Sequence, residues 1–146
     1  MIIRAGTPDD YPRLLAVWLS SVRATHHFLT ERQIADLRPL IANDYLPTLA
    51  VWVAQDHTGR IGGFIGMNAN KVEMLFVAAE QRGKGIGKSL LAFVEQQHDV
   101  LLLDVNEQNP KAMAFYRHYG FSVIGRSERD GQGKPFPLLH MRRGTP

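Results

Sequence analysis

The chain has 146 residues, 45% hydrophobic and 21% charged, which fits one folded domain over 1–146 and excludes a chain disordered throughout. It contains no Cys, so disulfide scaffolds, thiolate metal sites, Cys nucleophiles and acyl-Cys intermediates are all excluded. The net charge of +3 is uneven: residues 1–80 hold 7 basic and 8 acidic side chains, residues 81–146 hold 10 and 6. With no Lys/Arg run, that excess points to a small anionic ligand in the C-terminal part rather than to nucleic acid over the whole surface.

The first residues lack the basic segment and long apolar core of a signal peptide, and the longest apolar runs are strand-sized. A cytoplasmic protein without a membrane partner is the expectation. Residues 2–5 read as a short strand. Thr7-Pro8-Asp9-Asp10 then opens a helix, with Thr as cap, Pro in the first turn and acids at the positive end of the helix dipole. Leu14, Leu15, Trp18 and Val22 share one face of it. Thr30 and Gln33 have capping-box spacing and start a second helix toward Asp44, with Pro39 as a kink or break. Residues 49–55 and 60–67 form a hairpin around the turn Asp56-His57-Thr58-Gly59, and 72–77 is a further strand. A glycine-rich loop at 82–87 leads into a helix with Ile86, Leu90, Leu91 and Val94 on one face. The continuous apolar run at 100–105 reads as a buried strand. Pro110 can begin a helix that Gly120 ends, and 121–126 and 136–143 are two last strands. This order predicts an α/β fold: a mixed sheet with one βαβ unit and helices on both sides. Trp18 and Trp52 are assigned to the core.

The loop Arg82-Gly83-Lys84-Gly85-Ile86-Gly87 lies between a strand and a helix N-terminus. Glycines there let backbone N–H groups converge on an anion, and Arg82, Lys84 and Lys88 add positive charge. Counting excludes two phosphate motifs. Between Gly83 and Gly87-Lys88-Ser89 there are three residues where a Walker A loop has about four, and the glycine spacing is G-x-G-x-G, not G-x-G-x-x-G.

A second pattern, V-N-x-x-N-x-x-A-x-x-F-Y-x-x-x-G-F, runs from Val105 to Phe121 and places Asn106, Asn109, Ala112, Phe115, Tyr116 and Gly120 in register. Together with the R-x-x-G-x-G loop at Arg82, Gly85 and Gly87, it resembles the GNAT superfamily of N-acetyltransferases, and the His26-His27 segment, the run at 105–109 and Gly-Lys-Pro-Phe-Pro-Leu-Leu at 133–139 are similar to a small bacterial subgroup of it. The likeness is sharp over 72–121 and looser over 2–143.

That resemblance implies a central, mixed, mostly antiparallel sheet of six to seven strands, with the strands at 72–77 and 100–105 splayed. It implies acetyl-CoA as acyl donor and no metal. The backbone around Leu75, Phe76 and Val77 would meet the pantetheine arm. Arg82, Gly83, Lys84, Gly85, Ile86, Gly87 and Lys88 would hold the pyrophosphate. Asn109, Ala112, Phe115 and Tyr116 would line the arm. It makes Tyr116 the general acid for the leaving thiolate, a transfer nearly balanced between a thiol near 8.5 and a phenol near 10, by about 1.5 units. Asn106 belongs to the same centre. Glu73 is the candidate base, directly or through water, because Lys71 stands where some relatives carry Glu. By strand alternation Glu73 shares a face with Lys71 and Leu75. His26, His27 and Lys71 are acceptor-side candidates, and the loop at 126–137 could cover the acceptor. The implied reaction is direct transfer to a primary amine in a ternary complex, by a monomer or homodimer that binds no nucleic acid. Two rival readings are a CoA-binding regulator without catalysis and a toxin-like acetyltransferase of aminoacyl-tRNA.

Overall fold

A computed structural model describes residues 1–144. Strand β1 (Ile2–Ala5) leads through a capping box, in which Thr7 and Asp10 bond each other's backbone, into a short 3-10 turn and helix α1 (Tyr11–Thr25). Thr30 and Gln33 form the second capping box, and α2 (Glu31–Leu40) starts there. Pro39 stays inside α2. The helix then runs out through a π turn over Ile41–Tyr45 and a 3-10 turn over Leu46–Thr48, the irregular exit that a missing backbone donor favours. Strands β2 (Ala50–Gln55), β3 (Ile61–Asn68) and β4 (Lys71–Val77) form a meander. Then come α3 (Ile86–Glu95), β5 (Leu101–Asn106), α4 (Pro110–Tyr119), β6 (Ser122–Ser127) and β7 (Leu138–Arg143).

The seven strands lie in the order β1-β2-β3-β4-β5-β7-β6. All neighbours are antiparallel except β4 and β5, the pair joined by the βαβ crossover. Two cores result. On one face α3 packs Ile86, Leu90, Leu91 and Val94 onto Ile65, Val72, Leu103 and Val105, with α4 beside it. On the other, Leu14, Val17, Trp18 and Val22 of α1 cover Val53, Phe64 and Met74. Trp52 is half-buried against Phe93, their ring centroids 4.7 Å apart.

One irregularity organises the centre. β4 pairs with β5 only at Lys71↔Leu102 and Val72↔Leu103. On its other edge the register with β3 jumps from Met67↔Val72 to Gly66↔Met74, so Glu73 is a bulge residue without a β3 partner. A bulge bends its strand and strengthens the local twist, here at the point where β4 leaves β5. It also breaks strand alternation. Val72 belongs to the α3 face, Met74 and Phe76 to the α1 face, and Leu75 and Val77 to the α3 face again. The expectation that Glu73 shares a face with both Lys71 and Leu75 is therefore corrected: Glu73 Oε1 lies 3.7 Å from Lys71 Nζ, while Leu75 packs on the opposite side.

Candidate functional site

The glycine loop is built as an anion cradle. Gly83 and Gly85 have φ of 78° and 80°, the left-handed region that side chains resist, and Gly85 caps α3. The first backbone bond of that helix is donated by Ser89 N–H to Gly85 O. Among the described residues, the backbone N–H groups from Gly83 to Lys88 donate to no protein acceptor. They stand at the positive end of the α3 dipole, the arrangement that receives phosphate.

From this cradle a cleft of about 570 Å³ runs inward to the gap between β4 and β5. Its wall carries Arg82, Lys88 and Lys111 and no carboxylate. A smaller pocket of about 120 Å³ lies across the gap, and its wall carries Glu73 and Asp104 and neither Lys nor Arg. The two share His26, Leu75, Phe76, Asn109, Ala112 and Tyr116. Two cavities of opposite polarity thus meet at one set of side chains.

Tyr116 stands at that meeting point, its ring edge-on to Phe115 at 5.3 Å and to Phe121 at 5.6 Å. Burial pushes the phenol well above its ordinary value, so it keeps its proton at neutral pH, and the near balance with a thiol that ordinary values imply is corrected to an uphill transfer. Its hydroxyl has no hydrogen bond among the described residues. Buried Asn109 caps α4, its side-chain oxygen accepting from Ala112 N–H at 3.2 Å. Asn106 sits in the small pocket's wall, its side-chain oxygen accepting from Gln108 N–H at 2.9 Å.

Asp104 is held from both sides. Lys71 Nζ lies 2.9 Å from Oδ2, and His140 Nδ1 lies 2.6 Å from Oδ1. His140 Nε2 contacts Ser127 Oγ at 2.6 Å, completing a Ser–His–Asp chain across β6, β7 and β5. Although burial opposes it, the bonds from His140 and Lys71 hold the Asp104 carboxyl below its ordinary value, so it is charged at neutral pH. Lys71 is raised, chiefly by its bond to Asp104, and stays a cation. At the end of α1, burial and then the charges of Arg82 and His27 lower His26 to about 4. It is a neutral imidazole at physiological pH.

The structure brings most of the singled-out residues together. Leu75, Phe76, Val77, Arg82, Gly83, Gly85, Ile86, Gly87, Lys88, Asn109, Ala112, Phe115, Tyr116 and His26 line the large cleft, and Glu73 and Asn106 line the small pocket. Three stand apart. Lys84 and His27 are exposed outside both cavities, and Lys71 is engaged with Asp104 behind the pocket wall. The 126–137 loop reaches the α1–α2 connection through Phe136 on Phe28, ring centroids 5.7 Å apart, and Gln132 on the Tyr45 hydroxyl at 3.0 Å. Sequence reasoning missed Ser21, Thr25, Gln81, Lys111 and Asp104. Asp104 alternates with buried Leu103 and Val105, which marks it as facing away from the α3 core, but nothing local pairs it with His140, 36 residues on.

Among the described residues, no helix is long and apolar enough to cross a membrane, and no group of three or more His, Cys, Asp or Glu could hold a metal ion. Residues 30–143 match the acetyltransferase (GNAT) domain family. The chain is 40% identical over 139 residues to the peptidyl-lysine N-acetyltransferase YjaB of Salmonella typhimurium, with 95% of each chain covered. It superposes on the solution structure of apo-form YjaB from Escherichia coli with a TM-score of 0.90, at 36% identity over 99% of this chain and 100% of that one. A PaiA N-acetyltransferase from Thermoplasma acidophilum, solved in complex with coenzyme A, shares the fold with a TM-score of 0.77 at 23% identity, over 99% of this chain and 100% of that one.

Proposed function

The chain belongs to the GNAT acetyltransferase family, and from that premise we propose that it forms one domain that moves the acetyl group of acetyl-CoA directly to the side-chain amine of a lysine in a protein or peptide. The observation that carries this reading is the meeting of a cationic cleft and an acidic pocket at Tyr116. An anionic donor fits the first and an ammonium-bearing acceptor the second, and both reach the same atoms. The peptidyl-lysine activity in the name of the 40% identical relative supports this acceptor class.

The residues divide the work by position. The free N–H groups from Gly83 to Lys88, with Arg82 and Lys88, hold the pyrophosphate of the donor. Below Val72 the backbone edge of β4 that faces β5 has no strand partner, so it can bond the amide-bearing arm as a strand would. Binding along that length fixes the thioester at the gap, where orientation replaces a bimolecular encounter. Tyr116 keeps its proton until the C–S bond breaks and then gives it to sulfur. Glu73, whose side chain is 34% exposed, attracts the lysine ammonium and passes its proton to solvent through water, while Asp104 holds the Lys71 charge away from the pocket. With no Cys in the chain, no acyl-Cys relay intervenes.

The test combines acetyl-CoA with a set of lysine peptides. CoA release is read with a thiol reagent, to which the Cys-free protein itself is silent. We expect acetylated lysine by mass, and in Tyr116→Phe a kcat lowered by about 10²–10⁴ with the acetyl-CoA dissociation constant little changed. Stabilisation by acetyl-CoA without turnover on any amine would make the chain a CoA-binding regulator instead. Equal turnover in wild type and Tyr116→Phe would remove the phenol from its role.

A further inference from the structure

One side chain at the junction of the two cavities is prepared for a task that neither the anion cradle nor the phenol performs. Thr25 closes α1, and its hydroxyl donates to the Ser21 carbonyl oxygen at 2.7 Å. A hydroxyl has a single hydrogen. In the 2.7 Å contact between Thr25 Oγ1 and His26 Nδ1 the imidazole must therefore be the donor. With the proton on Nδ1, Nε2 of the neutral ring presents a bare lone pair. Nε2 has no hydrogen-bond partner among the described residues.

The ring cannot easily turn away. His26 caps α1 by donating its N–H to Val22 O and accepts Leu29 N–H on its own carbonyl. Its ring packs against Phe28 at 5.3 Å and Phe76 at 6.5 Å between centroids. Phe76 and Tyr116 line both cavities with it. A group meeting Nε2 is therefore held between the donor side and the acceptor side, within the aromatic wall that carries the phenol.

We propose that His26 Nε2 accepts a hydrogen bond from the N–H of the attacking amine and so turns the nitrogen lone pair toward the thioester carbonyl, with Ser21 and Thr25 as positioning residues that set the tautomer. This rests on the acetyl transfer proposed above and names the residue that receives its acceptor. The step balances without further reagents. The N–C bond forms, the C–S bond breaks, sulfur takes the proton of Tyr116, and the nitrogen sheds its proton through water toward Glu73. The partner chemistry is a neutral amine with an N–H to give.

Two measurements test this. A long-range proton–nitrogen NMR spectrum of the imidazole, which needs no turnover, should show Nδ1 protonated and Nε2 bare in the wild type. In Thr25→Val it should show a mixture, and in Thr25→Ser the wild-type pattern again. An Nε2-protonated ring in the wild type would overturn the proposal even if the protein acetylates lysine. In the kinetic arm, His26→Ala should lower kcat/KM for the peptide about tenfold to a hundredfold while leaving the acetyl-CoA dissociation constant within about twofold. His26→Gln, which keeps an acceptor atom and a similar volume, should recover part of that loss. If His26→Ala instead weakens acetyl-CoA binding by the same factor, the imidazole serves the donor and the proposal fails. No turnover in any protein, with the Nδ1 tautomer intact, would refute the transferase reading and leave the assigned tautomer standing.

Discussion

Gly85 and Gly87 lie two residues apart in the anion cradle, yet the structure predicts opposite thermal behaviour when each becomes alanine. Gly85 has φ of 80°, and a Cβ built on it meets no heavy atom within 4 Å. Its substitution is therefore a purely conformational penalty, about 1–2 kcal/mol for a left-handed residue. For a chain of this length that lowers Tm by roughly 3–8 °C. Gly85→Asn should fall less, because Asn tolerates this region. Gly87 lies in the first turn of α3, where Ala is favoured over Gly by up to about 1 kcal/mol. Its Cβ would stand 3.1 Å from Phe115 Cζ, and the ring would give by a few tenths of an ångström into the large cleft. Gly87→Ala should therefore melt at or above the wild type while its acetyl-CoA dissociation constant rises several-fold. The assay is thermal unfolding followed by circular dichroism, first without ligand and then across an acetyl-CoA titration, where bound ligand raises Tm by mass action. A Gly85→Ala protein that melts with the wild type would refute the left-handed requirement. A Gly87→Ala protein that melts well below it would show that Phe115 cannot yield.

Asp104→Asn should raise KM for a lysine peptide by several-fold and leave KM for acetyl-CoA nearly unchanged, because it leaves the Lys71 charge unpaired beside the small pocket and touches nothing in the large cleft; equal effects on both would break the division by polarity. Asp10 is lowered from 3.8 to about 2, first by its hydrogen bonds from Arg4 at 2.9 Å, against a smaller opposing burial penalty. A depressed carboxyl stabilises the fold above its unfolded value and loses that contribution as pH falls from about 4 toward 2. With the Arg4 side chain 38% exposed, solvent screening reduces the gain to about 1 kcal/mol. Urea unfolding should show Asp10→Asn less stable than wild type by that amount at pH 7, with the gap narrowing below pH 4; a gap independent of pH would exclude the ion pair as its source.

Much of this was legible in the chain because it is local. Both capping boxes, the αL glycines of the cradle, Pro110 and Gly120 around α4, and the apolar face of α3 are each written within a few consecutive residues. Their order then leaves few topologies. What stayed hidden depends on register. A strand read by alternation places Glu73 beside Leu75, and only the pairing with β3 reveals the bulge that separates them. The Asp104–His140–Ser127 chain likewise joins three strands distant in sequence, and neither its His nor its Ser has a local signature. His26 was visible as one of two adjacent histidines, but what distinguishes it from His27 is the Thr25 hydroxyl committed to Ser21, a contact on the inner face of α1.

The uneven charge acquires a geometry through the same bulge. In the basic C-terminal part, Arg126 is paired with Glu107 and Arg143 with Glu95, so they contribute little to the field in the clefts. Arg82, Lys88 and Lys111 remain along one cavity, and Glu73 and Asp104 along the other. The bulge falls one residue past Val72, where the pairing of β4 with β5 ends and the gap at which these cavities meet begins. Without the bulge, Leu75 and Val77 would lie on the other face, away from the α3 core that now backs the cationic cleft. Lys71, paired with Asp104 at 2.9 Å, sits on the last paired rung of β4 and β5 and neutralises one carboxylate where the strands still touch. Past that rung Glu73 carries the acidic character toward Tyr116. A one-residue irregularity thus marks where the strands part, with the charges sorted on either side of it, which is why net charge alone pointed to an anionic ligand and gave no sign of the acidic pocket across the gap.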